Sequence, residues 1–170
     1  PPPPTPPRHS TRRQRQMCIR DRGTVTLFEE FSLKIADGTH DLTSATGTWK
    51  VALLSDVIGT GITAADVDPD ISDYTQVTGG TSYTAGGETV AQTWTEQDGT
   101  ATFEITTATT TWTQDASGPT NINTALIYDD SLVGNNAIGY MDMRDGGATA
   151  ISLQDGDITI TWAANLFTLS

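Results

Sequence analysis

The stretch Asp157-Ile158-Thr159-Ile160-Thr161-Trp162 alternates polar and apolar residues without a break. A period of two is the signature of a half-buried strand, so Ile158, Ile160 and Trp162 are predicted to face a core. Asp157, Thr159 and Thr161 then face outward. Working outward from it, AIGYMDM (137–143) and TALIYDD (124–130) read as strands, the latter apolar on both faces. TTTWT (109–113) is a shorter one. ETVAQTWT (88–95) and TATFEITT (100–107) flank EQDG (96–99), a turn, with Phe103 and Ile105 on one side and Glu104 and Thr106 on the other. Trp49, Val51 and Leu53 alternate with Lys50, Ala52 and Leu54, so that strand is apolar on both faces and is expected at the centre of a sheet. Leu166, Phe167 and Leu169 close the chain.

About eight short strands between Gly, Asp and Asn turns suit hairpin and Greek-key connections. The expected fold class is all-β: a β-sandwich or jelly-roll-like domain over residues 23–170, with one short N-terminal α-helix. Composition agrees. Threonine fills 29 of those 148 positions, and its branched side chain suits a pleated surface.

The helix is read at the start. Thr26-Leu27-Phe28-Glu29 has the form of a capping box. Leu27, Phe28, Phe31 and Ile35 fall on one helical stripe. Glu30 and Lys34 are spaced for an i,i+4 ion pair, and Gly38 is placed to end the helix in the left-handed conformation.

Charge divides the chain in two. Residues 1–22 hold six arginines against one aspartate, a formal +5, together with six of the eight prolines and Cys18, the sole cysteine. Residues 23–170 hold Lys34, Lys50 and Arg144 against twenty acids, a formal −17. So negative a domain repels phosphate backbones, which excludes nucleic acid as its partner. Its longest apolar run, Val51–Leu54, is far short of a membrane span, and no signal peptide is read ahead of it. The basic, proline-rich arm has no hydrophobic period and is expected to be disordered. Residues 12–22, RRQRQMCIRDR, resemble the in-frame translation of an adapter used to prepare DNA sequencing libraries. That resemblance implies a segment foreign to the natural protein.

Few residues carry chemistry. His40 is the domain's one histidine and precedes Asp41, but no Gly-x-Ser-x-Gly elbow accompanies it. It reads as an exposed or capping loop residue, and no enzyme activity is expected. The long connection Asp56–Gly80 carries Asp66, Asp68, Asp70 and Asp73. Asp66, Asp68 and Asp70 alternate as in the start of a calcium-binding loop, so calcium is the one cofactor considered. Ile71 and Val77 stand where the turn glycine and the bidentate glutamate belong, which favours a solvated acidic loop. Connections this long are commonly functional. Asp66, Asp68, Asp70 and Asp73, with Tyr83 of the following glycine-rich run, are therefore the expected partner contacts. Trp49, Trp94, Trp112, Trp162, Tyr83 and Tyr140 could form sugar-stacking platforms. Trp49 and Trp162 alternate in phase with Val, Leu and Ile and read as core. Trp94 and Trp112 lie among threonines and could be exposed, although core packing is the favoured reading for them as well.

Several stretches resemble a family of small structural proteins of tailed bacteriophages: TVTLFEEF (24–31), WKVALLSD (49–56), YTQVTGGTSYTAGGETV (74–90), TALIYDD (124–130), AIGYMDM (137–143) and DITITWAANLFTL (157–169). Their YTAGG core (83–87) is the most specific piece, and Asp66–Asp73 is more acidic than the family pattern. The resemblance implies a non-enzymatic virion protein, a capsid decoration, cement or head–tail component, located in the virion. Its partners would be other virion proteins, either copies of itself or the capsid protein. The alternative is a carbohydrate- or receptor-binding β-sandwich module of a phage fibre or adhesin.

Overall fold

The computed structural model describes residues 24–40, 48–97, 100–162 and 167–169. The expectations for residues 1–22, Asp41 and Leu166 lie outside these residues. In chain order the elements are β1 (Thr26–Leu27), α1 (Glu29–Ala36), β2 (Trp49–Leu54), a single 3-10 turn (Ile71–Asp73), β3 (Glu88–Val90), β4 (Gln92–Gln97), β5 (Thr100–Ile105), β6 (Thr109–Trp112), β7 (Thr124–Asp129), β8 (Ala137–Asp142), β9 (Ile158–Thr161) and β10 (Phe167–Leu169). All named strand pairs are antiparallel. The fold is all-β with one short α-helix, as expected.

Three sheets form. The central one has five strands in the order β1-β8-β7-β2-β3; β10-β5-β4 and β6-β9 form the others. β2 lies between β7 and β3, the interior position its two apolar faces require. Trp49, Val51 and Leu53 enter one hydrophobic cluster with Ala125, Ile127 and Met141, and Trp112, Ile158 and Ile160 of β6 and β9 complete it. Ala52 and Leu54 enter a second cluster with Leu126, Tyr128 and Tyr140. The central sheet is thus buried on both faces.

The alternation over 157–162 appears as read: Ile158 and Ile160 are buried and Thr161 is exposed. Trp162 lies just past β9 and is only partly buried. Its indole N–H donates to Thr110 Oγ1 at 2.9 Å.

The helix start differs from the expectation. Thr26 and Leu27 are a strand, paired with Tyr140 and Gly139 of β8. Phe28 holds the N-cap position without a side-chain cap. A ladder on the sheet edge satisfies the backbone there better than one capping hydroxyl would, because it uses several groups at once. Gly139 makes the approach feasible: a Cβ there would sit 2.8 Å from the Thr26 carbonyl oxygen and 3.0 Å from Val25 Cγ1. The apolar stripe also splits. Phe31, Leu27 and Ile35 join the first cluster and Phe28 joins the second. Lys34 pairs with Asp68 at 2.6 Å rather than with Glu30. Gly38 does end the helix, with φ +81° and its N–H donated to the Ile35 carbonyl.

Candidate functional site

The start of β2, the end of β7 and the start of β8 lie at one end of the central sheet, since Trp49 pairs with Asp129 and Tyr128 with Ala137. The acidic connection and α1 meet there. This connection is a closed excursion. It leaves β2 at Ser55 and returns beside it, where Ser55 N–H donates to the Thr75 carbonyl at 2.9 Å and Val77 N–H to that of Leu53 at 3.0 Å. Between those points Ile62, Ile71 and Tyr74 are buried on the second face of the central sheet, with Ile58 packed beside them. The connection therefore covers that face with its apolar residues, while Asp68 and Asp73 remain exposed on its outer side. The spacing of its apolar residues follows neither strand nor helix, so periodicity gives no sign of this role.

Irregular backbone must satisfy its N–H groups without a ladder, and here carboxylates take those that turn bonds to backbone carbonyls leave over. Asp56 Oδ2 accepts from Thr75 N–H at 2.6 Å. Asp66 accepts from the N–H and hydroxyl of Thr63 and, at 2.9 Å, from the Tyr74 hydroxyl. Burial alone would raise the Asp66 pKa, but these donors outweigh it and hold the carboxyl below its usual range. Asp70 caps the 3-10 turn by accepting from Ser72 N–H at 2.7 Å, and Asp73 accepts from Asp70 N–H at 3.0 Å. Asp68 takes Lys34.

The structure therefore places Asp66, Asp68, Asp70 and Asp73 on one segment but gives each its own protein partner. Among the described residues no group of three or more acidic, histidine or cysteine side chains is arranged to hold a metal. Tyr83 is not at this surface. It is buried against Trp112, and its hydroxyl accepts from Leu53 N–H at 3.0 Å and donates to the Leu53 carbonyl at 3.3 Å, beyond the residues of β2 that β3 pairs. The glycines of YTAGG serve the same end. A Cβ on Gly87, at φ +69°, would lie 1.9 Å from the Val51 carbonyl oxygen, so only glycine lets the chain pass so close to β2. Tyr128 donates to the Gly86 carbonyl at 2.7 Å.

His40 overturns its expectation as an exposed or capping residue. It is 2% exposed and packs against Phe31, with ring centroids 5.2 Å apart. Its Nδ1 lies 3.7 Å from Asp129 Oδ2, while Asp129 Oδ1 accepts from both the N–H and the hydroxyl of Ser131. Burial raises the Asp129 pKa, but His40 and Ser131 outweigh it and the carboxyl is held low. The serine hydroxyl is spent on the carboxylate, not on the imidazole. The hydroxyl–imidazole–carboxylate order of a hydrolytic triad is therefore not formed.

Trp49, Trp112, Tyr83 and Tyr140 are buried, so Trp112 belongs to the core rather than to the exposed surface its threonine neighbours also allowed. The side chain of Trp94 lies outside the described residues. Three residues that the sequence does not single out are exposed apolar side chains at or near this end of the sheet: Leu33, Val67 and Val133. No protein-family model, curated protein or solved structure matches the chain. Among the described residues no helix is long and apolar enough to cross a membrane.

Proposed function

We propose that residues 23–170 are a non-enzymatic structural domain of a tailed-bacteriophage virion, a β-sandwich with jelly-roll-like connections that serves as a capsid decoration, cement or head–tail component. One observation carries the reading. WKVALLSD, TALIYDD and AIGYMDM, three of the separate stretches that resemble the phage family, build adjacent strands of one sheet. YTAGG locks onto the same sheet through Tyr83 and Gly87. Resemblance that gathers on one packed core is what a shared architecture produces, whereas chance matches would scatter over turns and tails.

Further support comes from how the carboxylates are used. Asp56, Asp66, Asp70, Asp73 and Asp129 brace the backbone, as suits a protein whose task is to keep its shape. The sugar-binding alternative has less behind it, because Trp49, Trp112, Tyr83 and Tyr140 offer no open ring face. The test is quantitative mass spectrometry of purified particles from a phage carrying the gene. Hundreds of copies per particle are expected for decoration and a handful for a head–tail role. Particles without the protein would overturn the reading.

A further inference from the structure

Among the described residues the large apolar side chains that stand exposed are Leu33 (61%), Val67 (77%) and Val133 (102%). They come from distant parts of the chain, but their segments lie side by side. Glu29 N–H donates to the Ala64 carbonyl at 2.8 Å and Lys34 pairs with Asp68, which joins α1 to the 63–71 segment. Ala137 N–H donates to the Pro69 carbonyl at 2.8 Å and Ile71 N–H to that of Asn135 at 3.3 Å, which joins that segment to the β7–β8 turn. The two non-glycine residues with left-handed backbone among the described residues are also here. Asp68 has φ +47° and follows Val67; Asn135 has φ +53° and lies two residues past Val133. Both turns are held in conformations that side chains disfavour, with a valine pointing into solvent at each.

The charge around these residues selects the occupant. Asp66, Asp70 and Asp73 accept from neutral donors, so their negative charge is uncompensated by those bonds. Glu29 and Glu30 add to it from the first turn of α1. The domain's basic side chains are all committed: Lys34 to Asp68, Lys50 to Asp130 and Arg144 to Asp142. A second copy of the domain 23–170 therefore offers this face no uncommitted lysine or arginine, and an anionic lipid surface would be repelled. Three exposed apolar side chains on adjoining segments, set among acids, are where an interaction site would be looked for.

We propose that α1, the 63–71 segment and the β7–β8 turn together form a docking surface for a basic protein surface carrying apolar side chains. Leu33, Val67 and Val133 supply the apolar contact. The acids of 66–73 and of α1 steer the cationic partner. The proposal rests on the virion reading only for which particle protein that partner is.

The test is an amide chemical-shift titration of the ¹⁵N-labelled protein with a synthetic amphipathic helix of lysine and leucine. Saturable shifts confined to residues 29–37, 63–73 and 130–136, weakening with added salt, are expected. The Leu33→Ser/Val67→Ser/Val133→Ser variant should bind about tenfold more weakly or worse, as loss of buried apolar area requires, with an unchanged melting temperature. If the triple variant melts lower, Val133→Ser alone, at an open turn, replaces it with the same expected direction. Shifts spread equally over Glu88, Asp155 and Asp157, or variants that bind as the parent does, would overturn the proposal. So would sedimentation showing that the parent dimerises and the variant does not, since the occupant would then be a second copy. No particle enters this assay, so its failure is distinct from failure of the virion reading, which particle mass spectrometry decides.

Discussion

The two faces of the central sheet are covered by different means. On one, Val51, Leu53, Ala125 and Ile127 meet Trp112, Ile158 and Ile160 from strands β6 and β9. On the other, Ala52, Leu54, Leu126 and Tyr128 meet Ile62, Ile71 and Tyr74 from a connection that holds one 3-10 turn. Both covers exclude water. The strands satisfy their backbone by pairing, and the connection satisfies its own with turn and bridge bonds supplemented by aspartate side chains. An acidic segment can thus help build a core while its acids stay in reach of water, because a carboxylate accepts from two or three N–H and hydroxyl groups that would otherwise be left without partners. Much of the domain's net charge at this end reflects that arrangement.

The largest effect that could break this comparison comes from neighbouring leucines. Leu53 and Leu54 are fully buried on opposite faces. Leu53→Ala and Leu54→Ala should each cost about 2–5 kcal/mol in urea unfolding. A cost under about 1 kcal/mol for Leu54→Ala alone would mean that the connection is a loose flap. Next in size is Asp66→Asn, which weakens the acceptor for Thr63 and Tyr74. It should cost about 1–3 kcal/mol, and hydrogen exchange should quicken over 56–77 while β6 and β9 keep their protection.

Stability against pH sharpens the contrast. Three of the four tyrosines, Tyr74, Tyr128 and Tyr140, lie on the connection-covered face. Burial pushes all three up, Tyr128 to about 12, against one tyrosine so raised, Tyr83, on the other face. Their folded values exceed the unfolded value near 10, so the stability they contribute is present below about pH 10 and lost as pH rises toward the folded values. Alkaline unfolding should therefore begin on this face, with tyrosinate absorbance rising as the 56–77 amides lose protection. Acid acts in the opposite sense. The carboxyls of Asp66 and Asp129 are held low, and that of Asp115 falls to about 2 through the N–H groups of Thr81, Ser117 and Ser82. Their contribution is complete above about pH 4 and disappears as pH falls through the lowered values. A urea series from pH 5 to 2 should show falling stability; a flat profile would mean that these carboxylates do not brace the fold. The smallest effect belongs to Lys34→Ala, which removes the pair to the exposed Asp68. It should cost about 0–1 kcal/mol, and a larger loss would show that the pair anchors α1 to the connection.

What could be read from the chain tracks how local the cause is. DITITW declares its strand because a period of two is a property of adjacent residues, and WKVALL declares an interior strand because both of its faces are apolar. The start of α1 was misread because Thr26 and Leu27 satisfy a helix cap and a sheet edge equally well on local chemistry. The ladder with Gly139 and Tyr140, more than a hundred residues on, makes the choice. His40 was misread for a similar reason: only the packing of Phe31 and Asp129 around it makes it a buried residue.

The aspartates and the exposed valines mark the limit most clearly. Asp66, Asp70 and Asp73 look alike in sequence whether they bind calcium, face water or cap a backbone, because what a carboxylate accepts from depends on the path of the chain around it. Val67 and Val133 look like ordinary apolar residues, and exposure is a property of the assembled surface. By itself the sequence determined the all-β class, the positions of most strands and the strong negative charge, since each is written in neighbouring residues or in composition. Only the tertiary structure decided that the acidic connection roofs one face of the sheet, that Tyr83 and Gly87 lock onto β2, and that Leu33, Val67 and Val133 come to adjoining segments. Those facts depend on contacts between residues far apart in the chain, which local alternation and charge do not encode.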